Sequence, residues 1–176
     1  MPASAMRFDS FYNRGCRQMK THVVLFTALT AGVIAIGSAA SRADDDGGGK
    51  VVISTPHAPP AIGPYSQAIR VGRTVYVSGE VGADSTGTIT GPSIEEQTDQ
   101  ALTNIGAILG AAGLTLDNVV ATTVYLVNVT DFAEMNARYA TFFKNAPPSR
   151  ATIQVAALPK KGALVEISAI AVIPTD

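Results

Sequence analysis

Cysteine is almost absent from this sequence, and basic charge is scarce over most of its length. The single cysteine, Cys16, precedes an apolar segment that we expect to be removed. Without it the mature chain has no thiol chemistry, no disulfide and no cysteine metal site. From Asp44 onward, eight Lys and Arg stand against thirteen Asp and Glu, a net charge of −5. Because an acidic chain is a poor nucleic-acid surface, we expect no nucleic-acid partner.

Histidine is equally scarce, with two in the whole chain. His57 has no Asp or Glu nearby in the sequence to orient it, so we interpret it as a solvent-facing loop residue. A ribonuclease or translation inhibitor is disfavoured for the same reason, since no pair of catalytic histidines is available. The glycines before Lys50 also lack the spacing of a phosphate-binding loop.

Residues 1–43 have the pattern of a secretory signal peptide. Basic residues precede an apolar stretch at 23–36, and a run of small residues follows at 37–43. The apolar stretch is too short to span a bilayer comfortably, and Met19 is an alternative start. We expect cleavage after Ala43 or Ala40, export to a bacterial periplasm, and no stable membrane association afterwards. Residues 44–50 are then a flexible acidic linker rich in glycine, and residues 51–176 form one domain.

The domain is predicted to contain six strands and two helices. The patterns predict strands at 51–54, 68–71, 74–81, 119–127, 149–155 and 164–172. A capping box at Ser93 and Glu96 starts the first helix, Gly113 stops it, and a second helix begins at Asp131 with an aromatic stripe that we assign to the core. This order predicts an α+β fold in which one mixed sheet carries both helices on one face.

Two of the predicted strands carry features that bear on the site and on assembly. In 74–81, strict alternation places Glu80 on the face of Tyr76 and Ser78, although Gly79 allows either a close approach or a β-bulge. In the last strand both faces are largely apolar, while the helices cover only one. We therefore expect the uncovered face to be buried in a homo-oligomer.

Arg150 and Glu166 are the residues most indicative of function. Arg150 follows two prolines at the point where a strand begins, and Glu166 lies among aliphatic residues. A carboxylate in such a strand is either paired or perturbed. From the residues alone, a buried structural bridge between the two is as good an interpretation as a catalytic role.

Six segments in order resemble the Rid (YjgF) family of reactive intermediate deaminases. They are Ala61-Ile62-Gly63-Pro64-Tyr65-Ser66-Gln67-Ala68, Val77-Ser78-Gly79-Glu80, Asn136-Ala137-Arg138-Tyr139 with Phe142-Phe143, Pro148-Ser149-Arg150, Ala157-Leu158-Pro159-Lys160, and Val165 to Val172. The resemblance covers essentially all of residues 51–173.

The resemblance implies a chorismate-mutase-like, bell-shaped domain that forms a homotrimer with active sites between subunits. It also implies hydrolysis of 2-imino acids (2-iminopropanoate and 2-iminobutanoate) to 2-keto acids and ammonia, without metal or organic cofactor. Deaminating members carry an arginine at the position of Arg150. Many also have cysteine where this chain has Thr152, which keeps a hydroxyl and excludes thiol chemistry.

The residues fit that chemistry. A guanidinium can bind the substrate carboxylate through two hydrogen bonds, so we assign binding to Arg150 and proton transfer to Glu166. We expect Tyr65 to close the pocket, with Ser78 and Gly79 near the leaving nitrogen.

Two further substrate-binding candidates lie elsewhere in the chain, namely Thr152 and Asn136. Asn136 could also hydrogen-bond the loop after its helix. Tyr65 could instead serve packing and Ser78 the strand. A second function, a trimeric module that holds small carboxylates without turnover, remains open.

Overall fold

The structure is a computed structural model that describes residues 49–175. The predicted signal peptide lies outside these residues, as does the predicted linker apart from Gly49 and Lys50. Neither helix of the described part has the length and apolar character that a membrane crossing requires.

The elements follow the predicted order. The strands are β1 (Val51–Ile53), β2 (Ala68–Val71), β3 (Thr74–Val81), β4 (Val119–Leu126), β5 (Ser149–Gln154) and β6 (Val165–Val172), and the helices are α1 (Ile94–Ala111) and α2 (Phe132–Phe142). The strands form one sheet in the order β1-β2-β3-β6-β4-β5. The β4–β5 pair is parallel and the other pairs are antiparallel. The predicted six-stranded mixed sheet is confirmed.

Helix α1 begins and ends where its sequence signals indicate. The Ser93 hydroxyl accepts from the Glu96 amide at 3.2 Å, and the Glu96 carboxylate accepts from the Ser93 amide at 3.2 Å. These bonds satisfy two amides that the first turn leaves unpaired. Beyond the helix, Gly113 has φ +74, a left-handed conformation that costs glycine no side-chain clash.

Both helices cover one face of the sheet. Met135 and Tyr139 of α2, and Phe143 directly after it, enter the same buried cluster as the alternate β6 residues Val165, Ile167, Ala169 and Ala171. The aromatic stripe is therefore mainly core, as predicted. Phe132, at the start of α2, is the exception at 41% exposed.

A β-bulge interrupts β3 and corrects the predicted face of Glu80. Val77 is opposite Ala169, but the next paired residue, Glu80, is opposite Ile167. Ser78 and Gly79 together therefore face one residue of β6, which reverses the alternation beyond them. Strict alternation was wrong here, because Glu80 lies on the buried side with Val77 and is 6% exposed.

The sheet face away from the helices, hereafter the open face, carries exposed apolar side chains. Val52 is 60% exposed, Tyr76 49%, Ile153 47% and Val71 42%. Their strand partners place all four on the side opposite the helices. The open face thus has the apolar character that the sequence predicted for it.

Candidate active site

A cavity of about 470 Å³ lies between the loop joining β1 to β2 and the loop joining β5 to β6. Its floor is the bulged part of β3 together with Glu166 of β6. Four of the predicted site residues line it: Tyr65, Ser78, Gly79 and Glu166. Glu80 and Lys160 add two further ionisable groups.

The proline-rich wall of the cavity is held by Gln67. Its side-chain amide donates to the carbonyls of Thr55, Ala58 and Pro59 at 3.1, 3.3 and 2.7 Å. Its side-chain carbonyl accepts from the Thr55 amide at 2.7 Å. Gln67 is buried, and its side chain is fully hydrogen-bonded to the backbone of this loop. The prolines limit the conformations that the loop can adopt, and the Gln67 bonds hold it in one of them.

The opposite wall is held by Gln97 of α1. Its amide donates to the Gly162 carbonyl at 3.0 Å, and its carbonyl accepts from the Leu164 amide at 2.8 Å. The same side chain therefore positions the end of the loop that carries Lys160 and the start of β6.

Glu166 lies directly over Gly79. A Cβ at position 79 would come within 2.7 Å of the Glu166 carboxyl carbon and would overlap one carboxyl oxygen. The absent side chain of Gly79 thus provides the space that the carboxylate occupies. Burial raises the pKa of Glu166, which is the direction expected for a carboxyl in an apolar strand.

Glu80 is the more strongly perturbed carboxyl of the cavity. Burial raises its pKa to about 8, and repulsion from the Glu166 carboxylate adds to that rise. Glu80 is therefore protonated at neutral pH, while Glu166 is the group that ionises first.

Tyr65 and Ser78 make local bonds within the cavity wall. The Tyr65 hydroxyl accepts from the Ile62 amide at 3.3 Å, and its ring is 51% exposed at the rim. The Ser78 hydroxyl donates to the Ser66 carbonyl at 2.6 Å. Ser78 therefore has the strand-bonding role weighed from the sequence, and it lines the cavity as well.

Arg150 lies in a separate cluster against α2. Its guanidinium donates to the Asn136 side-chain carbonyl at 2.7 Å and stacks over the Tyr139 ring, 4.5 Å from the centroid. Asn136, Tyr139 and Arg150 are hereafter the arginine cluster. Asn136 thus hydrogen-bonds Arg150 of β5, whereas the sequence suggested a bond to the loop after α2.

Tyr139 is itself fixed at the base of the arginine cluster. Its hydroxyl and that of Thr122 on β4 are 2.7 Å apart and hydrogen-bonded. Burial raises the pKa of Tyr139, opposed by the Thr122 bond and the Arg150 charge, so the ring stays neutral. The ring is consequently a rigid, uncharged surface beneath the guanidinium.

The arginine cluster and Glu166 lie on opposite faces of the sheet. Arg150 is paired with Thr122, and Thr122 with Ala169, both of which point toward the helices. Glu166 is three residues from Ala169 on β6 and therefore points to the other face. Thr152 is half-buried on the same face as Arg150.

Within residues 49–175 no bridge between Arg150 and Glu166 forms, since the ion pair found there joins Arg138 to Asp99.

A protein-family model described as Endoribonuclease L-PSP matches residues 55–173. The chain belongs to this family. The match begins close to β1 and ends just after β6, so it contains both the cavity and the arginine cluster.

Curated family relatives share about half of their residues with this chain. A Mus musculus protein named 2-iminobutanoate/2-iminopropanoate deaminase is 54% identical over 122 residues, which cover 69% of this chain and 90% of the relative. The Homo sapiens protein of the same name is 52% identical over 69% of this chain and 88% of its own length. A RutC family protein of Saccharolobus solfataricus is 46% identical, covering 69% of this chain and 97% of its own.

Solved structures of the family share the fold. A protein of Yersinia pestis, described as belonging to the conserved Rid protein family, has a TM-score of 0.68 and 46% identity, covering 71% of this chain and all of its own. RidA of a Psychrobacter species has a TM-score of 0.67 and 43% identity, covering 70% and 99%. The family resemblance carried by the six sequence segments is therefore confirmed.

Three residues that line the cavity were not predicted as site residues from the sequence: Glu80, Gln67 and Lys160. Glu80 was assigned to the wrong face because the bulge cannot be located by alternation. Gln67 and Lys160 lay inside segments quoted for the family, but no periodicity distinguishes a loop-bridging glutamine or a cavity lysine from a solvated one. Gly79 next to Glu80 allowed a bulge or a close approach, and the structure has both at this position.

Proposed function

We propose that the protein is a hydrolytic deaminase of small 2-imino acids, acting on 2-iminopropanoate and 2-iminobutanoate to give 2-keto acids and ammonia. The observation that carries the proposal is the Glu166 carboxyl, which is partly desolvated over Gly79 in a cavity large enough to admit a small 2-imino acid. The deaminase names of relatives at 52–54% identity support it. The reaction needs a proton acceptor for the attacking water and a group that binds the substrate carboxylate. Glu166 and Arg150 are the residues suited to these two roles.

Glu166 is the group that handles protons. As a carboxylate it can take a proton from the water that attacks the imine carbon. Its raised pKa brings it closer to neutrality than an exposed carboxylate, which favours both uptake and return of the proton. Since an imine already reacts with water, orientation and one such group can produce a large part of the rate.

Arg150 binds the substrate carboxylate. Its guanidinium is held by Asn136 through one hydrogen bond and by Tyr139 through stacking. A planar guanidinium fixed in this way presents its remaining N–H groups in the geometry that a carboxylate accepts. Thr152, two residues along the same strand face, provides a hydroxyl for the same substrate.

The active site is completed by a second copy of the chain. Arg150 and Glu166 cannot reach one small substrate within a single chain, because the sheet lies between them. The exposed Val52, Tyr76 and Ile153 of the open face give neighbouring copies an apolar surface to bury. In a homotrimer each cleft then combines the cavity of one subunit with Arg150 of the partner subunit.

Export is part of the proposal. Residues 1–43 precede the family match, which begins at residue 55, and have the order of a secretory signal. The substrate outside the cytoplasm would come from an oxidase or dehydrogenase that acts on amino acids. Fractionation of cells that express the full chain tests this part, since export predicts a shortened form in the periplasmic fraction.

The family model's name raises ribonuclease activity as an alternative. Two carboxyls line the cavity with one lysine, and none of the cavity residues is a histidine. His57 is exposed in the loop before the proline-rich wall. The cavity therefore offers no histidine pair for RNA cleavage, and the carboxylate chemistry is preferred.

The test is keto acid release from freshly generated 2-iminopropanoate and 2-iminobutanoate, compared with buffer. Wild type should accelerate release, and Arg150→Ala should lower kcat/KM by about a hundredfold, equivalent to about 3 kcal/mol, because an ion pair to the substrate is lost. Arg70→Ala, which removes an exposed arginine of β2, is the control. Binding of a 2-keto acid without any acceleration of release would instead identify a non-catalytic carboxylate-binding module.

A further inference from the structure

Glu80 is a buried carboxyl that the proposed mechanism has not used. It is 6% exposed and lines the cavity that contains Glu166. The bulge at Ser78 and Gly79 turns it to the buried side of β3, opposite Ile167, at the end of the strand where the cavity lies. Burial of a carboxyl near a second carboxyl costs stability, and such perturbed groups cluster at functional sites.

The charged surroundings of Glu80 favour its neutral form. Glu166 lies next to Ile167, the β6 residue opposite Glu80, and Lys160 and Tyr65 line the same cavity from the two loops. Asp84, in the loop after β3, is occupied by Thr86 and Thr88 through bonds of 2.6 to 3.0 Å. The α1 residues that face the sheet include no ionisable group. Burial and the Glu166 charge are thus the dominant influences, and they raise the pKa of Glu80 to about 8.

We propose that Glu80 is a second catalytic carboxyl, which donates a proton to the imine nitrogen while Glu166 takes one from water. This inference rests on the proposed deaminase function and assigns the acid that the reaction needs. Two carboxyls in one site with different protonation states can divide acid and base work between them.

The proton balance closes with these two groups. In the addition step the Glu166 carboxylate takes a proton from water as the water oxygen bonds to the imine carbon. The C=N electron pair moves to nitrogen, which takes the proton of Glu80. The product of this step is a carbinolamine, with Glu166 protonated and Glu80 ionised.

The elimination step restores both groups. The amino nitrogen takes the proton now held by Glu166, and the C–N bond breaks with its electron pair leaving on ammonia. The hydroxyl oxygen forms the C=O bond, and its proton passes to Glu80. Ammonia and the 2-keto acid leave, Glu166 is again a carboxylate and Glu80 is again an acid.

The test is the pH dependence of kcat for wild type and Glu80→Gln, with the buffer rate subtracted at each pH. Wild type should lose activity as pH rises through about 8, because Glu80 then loses the proton that it must donate. Glu80→Gln keeps the size and neutrality of the acid but has no proton to give. It should lower kcat by about a hundredfold, the low end of the usual general-acid contribution, and should lack the alkaline limb. Glu95→Gln on α1 is the matched control and should keep the wild-type profile.

The outcomes separate this inference from the function itself. An active wild type whose rate stays flat well above pH 8, or a folded Glu80→Gln with the wild-type rate and profile, would overturn the role of Glu80 alone. A wild type that does not exceed buffer at any pH would overturn both. The wild-type profile needs no variant, so the inference can fail even if Glu80→Gln does not fold.

Discussion

The Arg150 guanidinium and the Glu166 carboxyl lie on opposite faces of one sheet, with β4 between their strands. Arg150 is held against α2 by Asn136, whereas Glu166 lies over Gly79 at the floor of the cavity. No side-chain rotation brings the two groups together, because the paired strands separate them. If both act on one substrate, they come from different subunits.

Subunit mixing tests this arrangement. Arg150→Ala and Glu166→Gln should each be inactive alone, since every cleft lacks one group. Mixed trimers should regain about a quarter of the wild-type activity at equal amounts, because about three quarters of random trimers are mixed and each has one intact cleft in three. The measurement is keto acid release after the two variants are unfolded together and refolded. A mixture as inactive as its components would place the whole site within one chain.

Asn136 should act on substrate binding through Arg150. Asn136→Ala removes the 2.7 Å bond that orients the guanidinium, so we expect KM to rise about tenfold while kcat changes little. Steady-state kinetics with both imino acids would measure the split. Asn145→Ala, in the exposed loop before β5, provides the control. A tenfold fall in kcat with an unchanged KM would contradict a role in positioning Arg150 for substrate binding.

Gly79 should tolerate no side chain. In Gly79→Ala the new Cβ would overlap the Glu166 carboxyl, which must then move out of its place. We expect a loss of about 1–3 kcal/mol in unfolding free energy and more than about tenfold in turnover. The comparison is Gly110→Ala in α1, where no atom lies within 4 Å of the new Cβ and alanine should stabilise by about 0.5–1 kcal/mol. Urea unfolding and turnover of both variants check the pair, and full activity in Gly79→Ala would refute the close approach.

The sequence predicted the elements well because their signals are local. The capping box at Ser93, the stop at Gly113 and the two-residue period of β6 each depend on residues close in the chain. The site was predicted only in part. The side-chain chemistry of Arg150 and Glu166 indicated a functional role, but the sequence did not predict that the two residues lie on opposite faces of the sheet. Their separation depends on strand order, and the burial of Glu80 depends on a bulge that pairs β3 with a strand about ninety residues later. Both are non-local facts that periodicity does not contain.

Glu80 should make stability depend on pH in a way that its glutamine variant does not. The unfolded chain ionises Glu80 near 4.5, whereas the folded chain keeps its proton to about 8. Between these values the folded state binds the extra proton, so wild type loses about 1.4 kcal/mol of unfolding free energy per pH unit from this group. Glu80→Gln carries no such proton, and its stability relative to wild type should therefore increase from pH 4.5 to 8 and level off above. Urea unfolding at fixed protein concentration measures this difference. Glu95→Gln should give no such increase, and a Glu80→Gln difference that stays constant with pH would show that the buried carboxyl is ionised throughout.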